Sequence, residues 1–311
     1  MALHPFIAGM LEKMQAAGQP GLSAGTPAES RQLVAAGRAA IGPGPEMASV
    51  RDVRIATRDG DIPGRLLVPN ANPAGLVIYL HGGGWVLASI DDFDTLGREL
   101  AMQSGCAVLL VEYRLAPEHR YPAPLNDVID AIVWADASAP ALLGRKVPLV
   151  VAGDSAGGNM ATVAARALRG RVELALQVLA YPVTDCDFDS PTYRSCSDGM
   201  PLTRADMEWF FDHYVDAGLR EHEAISPLRA TEHQGVPPAF IATAEVDVLR
   251  HEGESYAQAL QAAGVPVTQR RYAGVTHGFL RLHNHMDVAR EAVTDVAKAI
   301  SSAVAASRPA A

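Results

Sequence analysis

The chain has 311 residues, 49% hydrophobic and 20% charged, enough apolar material for one large domain or two smaller ones. Acidic residues outnumber basic ones, 35 to 26, and a net charge of −9 argues against a nucleic-acid partner and against charge-driven binding to anionic membranes. No run reaches the unbroken apolar length that spans a bilayer, and Glu12 and Lys13 interrupt the only apolar stretch near the start, so neither a membrane anchor nor a signal peptide is expected. The expectation is a cytoplasmic protein in which Cys106, Cys186 and Cys196, odd in number and without metal-like spacing, stay reduced and structural.

Residues 1–45 read as helical and then loop-like, ending at Gly42-Pro43-Gly44-Pro45. From there strand-like and helical runs alternate, the pattern of a largely parallel sheet covered on both faces. Strands are expected at 50–57 and 65–68, with antiparallel pairing one option, and then at 76–80. A helix at 92–104, capped by Asp91 or Asp92, leads to a strand at 107–111 and a helix at 126–136. A strand at 147–152 is followed by a helix at 159–169 and a strand at 174–180.

The alternation then breaks. Residues 183–236 carry prolines, one helix (204–215) and no convincing strand, and read as an inserted cap that the N-terminal segment could complete. The sheet resumes with a strand at 239–244, a helix at 254–263, a strand at 267–272 and a last helix at 286–304, before a small-residue tail, 305–311, that reads as frayed. The catalytic domain is thus expected over 46–182 and 237–311. The strand 267–272 is polar enough to lie near a sheet edge, where two chains could pair as a homodimer or its charges could prevent it.

The chemistry centres on Gly153-Asp154-Ser155-Ala156-Gly157-Gly158, set between a buried strand and a helix. A serine flanked by glycines at that corner fits a nucleophile elbow, which lifts the hydroxyl clear of the sheet at the positive end of a helix. Chymotrypsin-like proteases also carry Gly-Asp-Ser-Gly-Gly, but they are disulfide-bearing β-barrels whose histidine and aspartate precede the serine. Here a helix follows and cysteines are few. A serine hydroxyl needs a histidine to take its proton and an acid to orient that histidine. Of the ten histidines, only His277 both follows Ser155 and sits in a loop after an expected strand. His283 and His285 are expected at the surface, with no carboxylate or cysteine companion for a metal. Asp247, just beyond the strand 239–244, is the favoured acid, with Glu245 as its competitor. His81-Gly82-Gly83-Gly84-Trp85, directly after the strand 76–80, leaves backbone N–H groups free to converge on an oxyanion.

These motifs, with Tyr113-Arg114-Leu115-Ala116-Pro117-Glu118, Asp247-x-Leu249-Arg250 and His277-Gly278-Phe279, resemble the bacterial hormone-sensitive-lipase-like carboxylesterases, an α/β-hydrolase family, over about residues 50–285. The resemblance implies a mostly parallel eight-stranded sheet flanked by helices, with a helical cap. It also implies a Ser155–Asp247–His277 triad and an oxyanion hole formed by the N–H groups of Gly83, Gly84 and Ala156. The Tyr113–Glu118 stretch is then structural support for the glycine loop, and Asp154 a supporting residue. Val248 stands where the family often has proline after the acid. Trp85, Met200, Leu202, Trp209 and Phe210 become candidates for the substrate pocket, with Trp209 and Phe210 equally suited to the cap's own core. The expected activity is hydrolysis of short- to medium-chain esters of small molecules through an acyl-enzyme, without metal or organic cofactor. An amide, lactone or carbamate hydrolase on the same triad is the alternative. A non-catalytic receptor, as plant hormone receptors of similar fold are, is disfavoured by the presence of His277.

Overall fold

The computed structural model describes residues 2–197 and 199–307. Eight strands form one sheet: β1 (Ser49–Thr57), β2 (Gly60–Val68), β3 (Leu76–Leu80), β4 (Ala107–Val111), β5 (Leu149–Asp154), β6 (Leu174–Ala180), β7 (Ala239–Val246) and β8 (Val267–Thr276). Their order is β1-β2-β4-β3-β5-β6-β7-β8. β1, β2 and β4 pair antiparallel, and every later neighbour is parallel. The helices are α1 (Pro5–Ala16), α2 (Pro27–Ala36), α3 (Arg38–Ile41), α4 (Ile90–Ser104), α5 (Ala123–Leu143), α6 (Ala156–Ala167), α7 (Pro191–Ser195), α8 (Arg204–Tyr214), α9 (Arg250–Ala262) and α10 (Asp287–Ala306).

The central strands β3, β4 and β5 are apolar at nearly every position and wholly buried, as strands covered on both faces must be. One core layer joins α5, α6 and α9 to the sheet through residues such as Ile132, Met160 and Tyr256. The other joins α4 and α10 through Phe93, Leu96, Val293 and Ile300. The chain leaves β3 toward β4 on one side and β5 toward β6 on the other, although β3 and β5 are neighbours in register, Leu80 opposite Gly153. Loops that diverge in this way leave a crevice beyond the carboxyl ends of the strands.

Several boundaries differ from expectation, for local reasons. β2 starts at Gly60, not 65, because Pro63 accepts a hydrogen bond from Glu112 through its carbonyl and needs no donor of its own. Helix α4 starts earlier, at Ile90, with Ser89 as its cap; Asp92 instead closes the capping box, accepting from the Ser89 N–H. Helix α5 runs through Pro140 to Leu143, and α9 begins at Arg250. Strand β8 continues to Thr276 and is the edge of the sheet. Helix α10 extends into the small-residue tail as far as Ala306, and residues 308–311 lie outside the described residues.

Over the carboxyl ends of the strands lies a helical cap region. Its N-terminal part meets α8 through the Ser23 N–H, which donates to the Asp206 carboxylate at 2.9 Å. Arg31 on α2 reaches down to the Val86 and Ala116 carbonyls and pairs with Glu118. Beneath them, Asp127 on α5 is fully buried and accepts from the Arg114 backbone N–H, Nε and Nη2, fixing the segment after β4. Removing Asp127 leaves the half-buried Arg114 with only the exposed Asp59 as a carboxylate partner. Asp127→Ala should therefore cost about 3 kcal/mol of unfolding free energy, read by urea denaturation; a loss below about 1 kcal/mol would show that the pair is not buried in the way described.

Candidate active site

Ser155 sits at the corner between β5 and α6 with φ 54° and ψ −120°, a conformation L-residues rarely adopt. The corner is held on both sides: the Ser155 N–H donates to the Ala180 carbonyl at 2.9 Å, and its own carbonyl accepts from Asn159 and Val183. Its flanking glycine Gly157 permits the packing. A Cβ there would lie 2.0 Å from the Leu80 carbonyl oxygen, at the end of β3.

His277 follows β8 directly, and Asp247 follows β7 directly. The His277 Nε2 lies 3.0 Å from the Ser155 Oγ, and its Nδ1 lies 2.8 Å from Asp247 Oδ2. A carboxylate only accepts, so Nδ1 carries the proton and Nε2 is left to accept from the serine hydroxyl. Asp247 is buried and its other oxygen accepts from the Leu249 N–H at 3.0 Å, which sets the carboxylate without any proline at Val248. Glu245, the competitor, is engaged elsewhere: its carboxylate accepts from the Gly274 N–H. The Tyr181 ring meets the His277 imidazole edge to face at 4.7 Å.

The glycine loop leaves β3 beside this group. Its first amide is fixed by Asp154, whose Oδ1 accepts from the Gly82 N–H at 2.8 Å and from the Tyr79 hydroxyl at 3.0 Å. The Gly83 carbonyl accepts from Val86 and Leu87, closing a tight turn. Among the described residues, the Gly83 and Gly84 N–H groups donate to no protein acceptor. Ala156 is the first residue of α6, where an N–H has no partner within the helix. Gly84 has φ +59°, and a Cβ on it would fall 2.2 Å from the Phe210 ring, so α8 closes directly over the loop. His81 is buried, stacked on Tyr113 at 4.4 Å, and burial pushes its pKa down to about 4, leaving it neutral. Tyr113 donates to the His81 carbonyl at 2.7 Å, and the Ala116 N–H to the Trp85 carbonyl at 2.9 Å, so the Tyr113–Glu118 stretch braces the loop.

A cavity of about 130 Å³ opens on Ser155 and His277. Leu202 and Phe210 line it, together with Leu22, Val34, Leu87 and Phe93, which sequence reasoning did not single out. Trp85 is a correction. It is fully buried and stacks on Tyr214 at 4.3 Å, with Phe211 at its edge, so it packs the cap onto the sheet and does not meet the cavity. Met200 is half-buried and also does not border the cavity. His283 is a second correction: it is buried, with Nδ1 against the Leu280 carbonyl, while His285 stays exposed and stacks on Phe6. A larger cleft, about 670 Å³, lies at the opposite ends of the strands beside Pro148, Leu149 and Ala175, away from every residue of this group.

Comparison with known proteins identifies the family. A family model described as the alpha/beta hydrolase fold matches residues 77–281. An ethyl acetate hydrolase of Pseudomonas putida is 36% identical, covering 96% of this chain and 99% of its own. A hyperthermophilic esterase of Pyrobaculum calidifontis superposes with a TM-score of 0.92 at 35% identity, covering 97% of this chain and 99% of that one. An ester hydrolase from the metagenome of Lake Arreo, solved with a bipyridine phosphonate derivative, gives 0.91 at 37% identity over 96% and 98%.

Burial pushes the Asp154 carboxyl up from its ordinary 3.8 to about 6, against the hydrogen bonds from Tyr79 and Gly82 that favour its charged form. Because folding raises this pKa, its contribution to stability is fully present below about pH 4 and is lost as the pH rises through about 6. Asp154→Asn keeps an acceptor for Gly82 and removes the titration. Denaturation at about pH 4 and about pH 8 should show wild type gaining on the variant toward acid, by on the order of a few kcal/mol. An unchanged difference would mean that Asp154 titrates as an ordinary carboxylate.

Proposed function

We infer the reaction from one premise: the chain belongs to the alpha/beta-hydrolase family and is a serine esterase. Within that family we place it in the hormone-sensitive-lipase-like branch, on the glycine loop His81–Trp85 and the Gly153–Gly158 elbow. Its substrates are small carboxylic esters, and its reaction is acyl transfer through Ser155. The observation that carries this reading is the unbroken hydrogen-bonded line Ser155 Oγ, His277, Asp247, at 3.0 and 2.8 Å, beside uncommitted loop amides.

In the first half-reaction Nε2 of His277 takes the hydroxyl proton as Oγ bonds to the ester carbonyl carbon. The carbonyl oxygen becomes an alkoxide held by the N–H groups of Gly83, Gly84 and Ala156, donors already in place before charge develops. Asp247 holds the ring and offsets its positive charge. His277 then gives the proton to the departing alcohol. Water enters, loses a proton to the same Nε2, and releases the acid while Ser155 regains its hydrogen.

The cavity of about 130 Å³ favours short acyl chains, being smaller than the ~300–1,000 Å³ of pockets that hold larger ligands. The Pseudomonas relative's substrate, ethyl acetate, has a two-carbon acyl group and points the same way. Ser155→Ala should lower kcat for nitrophenyl acetate by about 10⁴-fold or more with an unchanged melting curve. In wild type, kcat/KM should fall steadily as the acyl chain lengthens beyond about four to six carbons. A retained nitrophenol burst in the variant would remove Ser155 from the mechanism.

A further inference from the structure

Half-buried arginines in this protein find acceptors. Arg31, Arg38, Arg65, Arg114 and Arg270 each meet a carboxylate, and Arg250 donates to the Glu245 carbonyl. Arg281 is the exception among the described residues. It lies on the short 3-10 turn Phe279–Leu282, a few residues beyond His277, and its side chain forms no ion pair and no hydrogen bond. Its Nε is buried without an acceptor, and its Cζ stands 4.8 Å over the Phe93 ring. The side chain borders the same cavity as Ser155 and His277.

Asp154 feels the charge of Arg281 at a distance, but one oxygen already accepts from Tyr79 and Gly82 and no ion pair forms. A guanidinium N–H that is withdrawn from water and given no acceptor, as at the Arg281 Nε, is costly unless something completes it. Most of the remaining wall is apolar: Leu22, Val34, Leu87, Phe93, Leu202 and Phe210. The ring of Phe93, 4.8 Å from the Arg281 Cζ, gives the cation an aromatic neighbour on the cavity wall.

We propose that Arg281 is a specificity-determining residue that receives a carboxylate carried by the ester, so that the preferred substrates are small esters with a carboxylate close to the scissile bond. This rests on the serine-esterase reading and narrows it. A carboxylate matches the fork in two parallel hydrogen bonds and balances one positive charge with one negative. A phosphate monoester would bring a second negative charge near Asp154 and Asp247, so it fits less well.

The test uses two matched pairs followed by proton release: 2-acetoxypropanoate against its amide, and monoethyl succinate against ethyl succinamate. One places the carboxylate on the alcohol, the other on the acyl group. In wild type, at least one acid should exceed its amide in kcat/KM by about tenfold, and Arg281→Met should erase that preference, chiefly through KM. Arg281→Lys, which keeps the charge and loses the fork, should retain only part of it. If neither acid exceeds its amide in wild type, the proposal is overturned. Equal losses on both members of a pair in Arg281→Met, or an unchanged preference in Arg281→Lys should the methionine variant not fold, overturn it too. Nitrophenyl acetate separates the two levels: its turnover alongside a failed pair test leaves the esterase reading standing, and its absence sinks that reading.

Discussion

The missing side chain at Gly157 governs how closely the two halves of the site approach. A Cβ there would press to 2.0 Å on the Leu80 oxygen and 2.7 Å on the His81 oxygen, so helix α6 can sit against the end of β3 only as glycine. That contact places the first turn of α6, with Ser155 and the Ala156 amide, beside the glycine loop that β3 releases. Asp154 then ties the two covalently separate loops together through the Gly82 N–H. Both the nucleophile's position and the convergence of amides follow from this one close approach. The strained Ser155 backbone is tolerated because Ala180, Asn159 and Val183 hold it from neighbouring elements.

Charge in the site is arranged in a largely apolar surround. Asp247 is buried yet retains two partners, the His277 ring and the Leu249 amide, so its negative charge is directed at the imidazole. His81, at the same depth, is kept neutral by burial and serves as a stacking surface for Tyr113. With few water dipoles to screen them, fixed donors act more strongly on a developing alkoxide than they would in solution. Phe210 and Leu202 from the cap supply that dryness, and Phe210 does so by resting on the one face that Gly84 leaves open.

Much of this was readable from residue order alone. Strands β3 and β4 are found where their apolar runs lie, because fully buried parallel strands are written as near-continuous hydrophobic stretches, and β6 is found there too although Gln177 interrupts its run. Ser155, His277 and Asp247 were legible because each stands just past a strand, and the sheet brings those ends to one rim. What lay beyond reach depended on partners far off in the chain. Trp85 adjoins the glycine loop in sequence, but Tyr214 and Phe211, over a hundred residues later, claim its ring. The family's glycine motif says nothing about Arg281, whose significance comes from the acceptor it lacks. His283 reads as a surface residue, yet it is buried with the Leu280 carbonyl as its local acceptor. Helix α5 passing through Pro140 likewise could not be read from a residue that normally ends helices.

The chemistry of the site turns on where negative oxygen settles after Oγ attacks. A crystal structure of the protein inactivated by a short-chain nitrophenyl phosphonate measures it. The phosphorus should be bonded to Ser155 Oγ, with one phosphonyl oxygen about 2.7–3.1 Å from the Gly83, Gly84 and Ala156 nitrogens. Phosphorus on another residue, or that oxygen turned to solvent with the three amides unengaged, would contradict it.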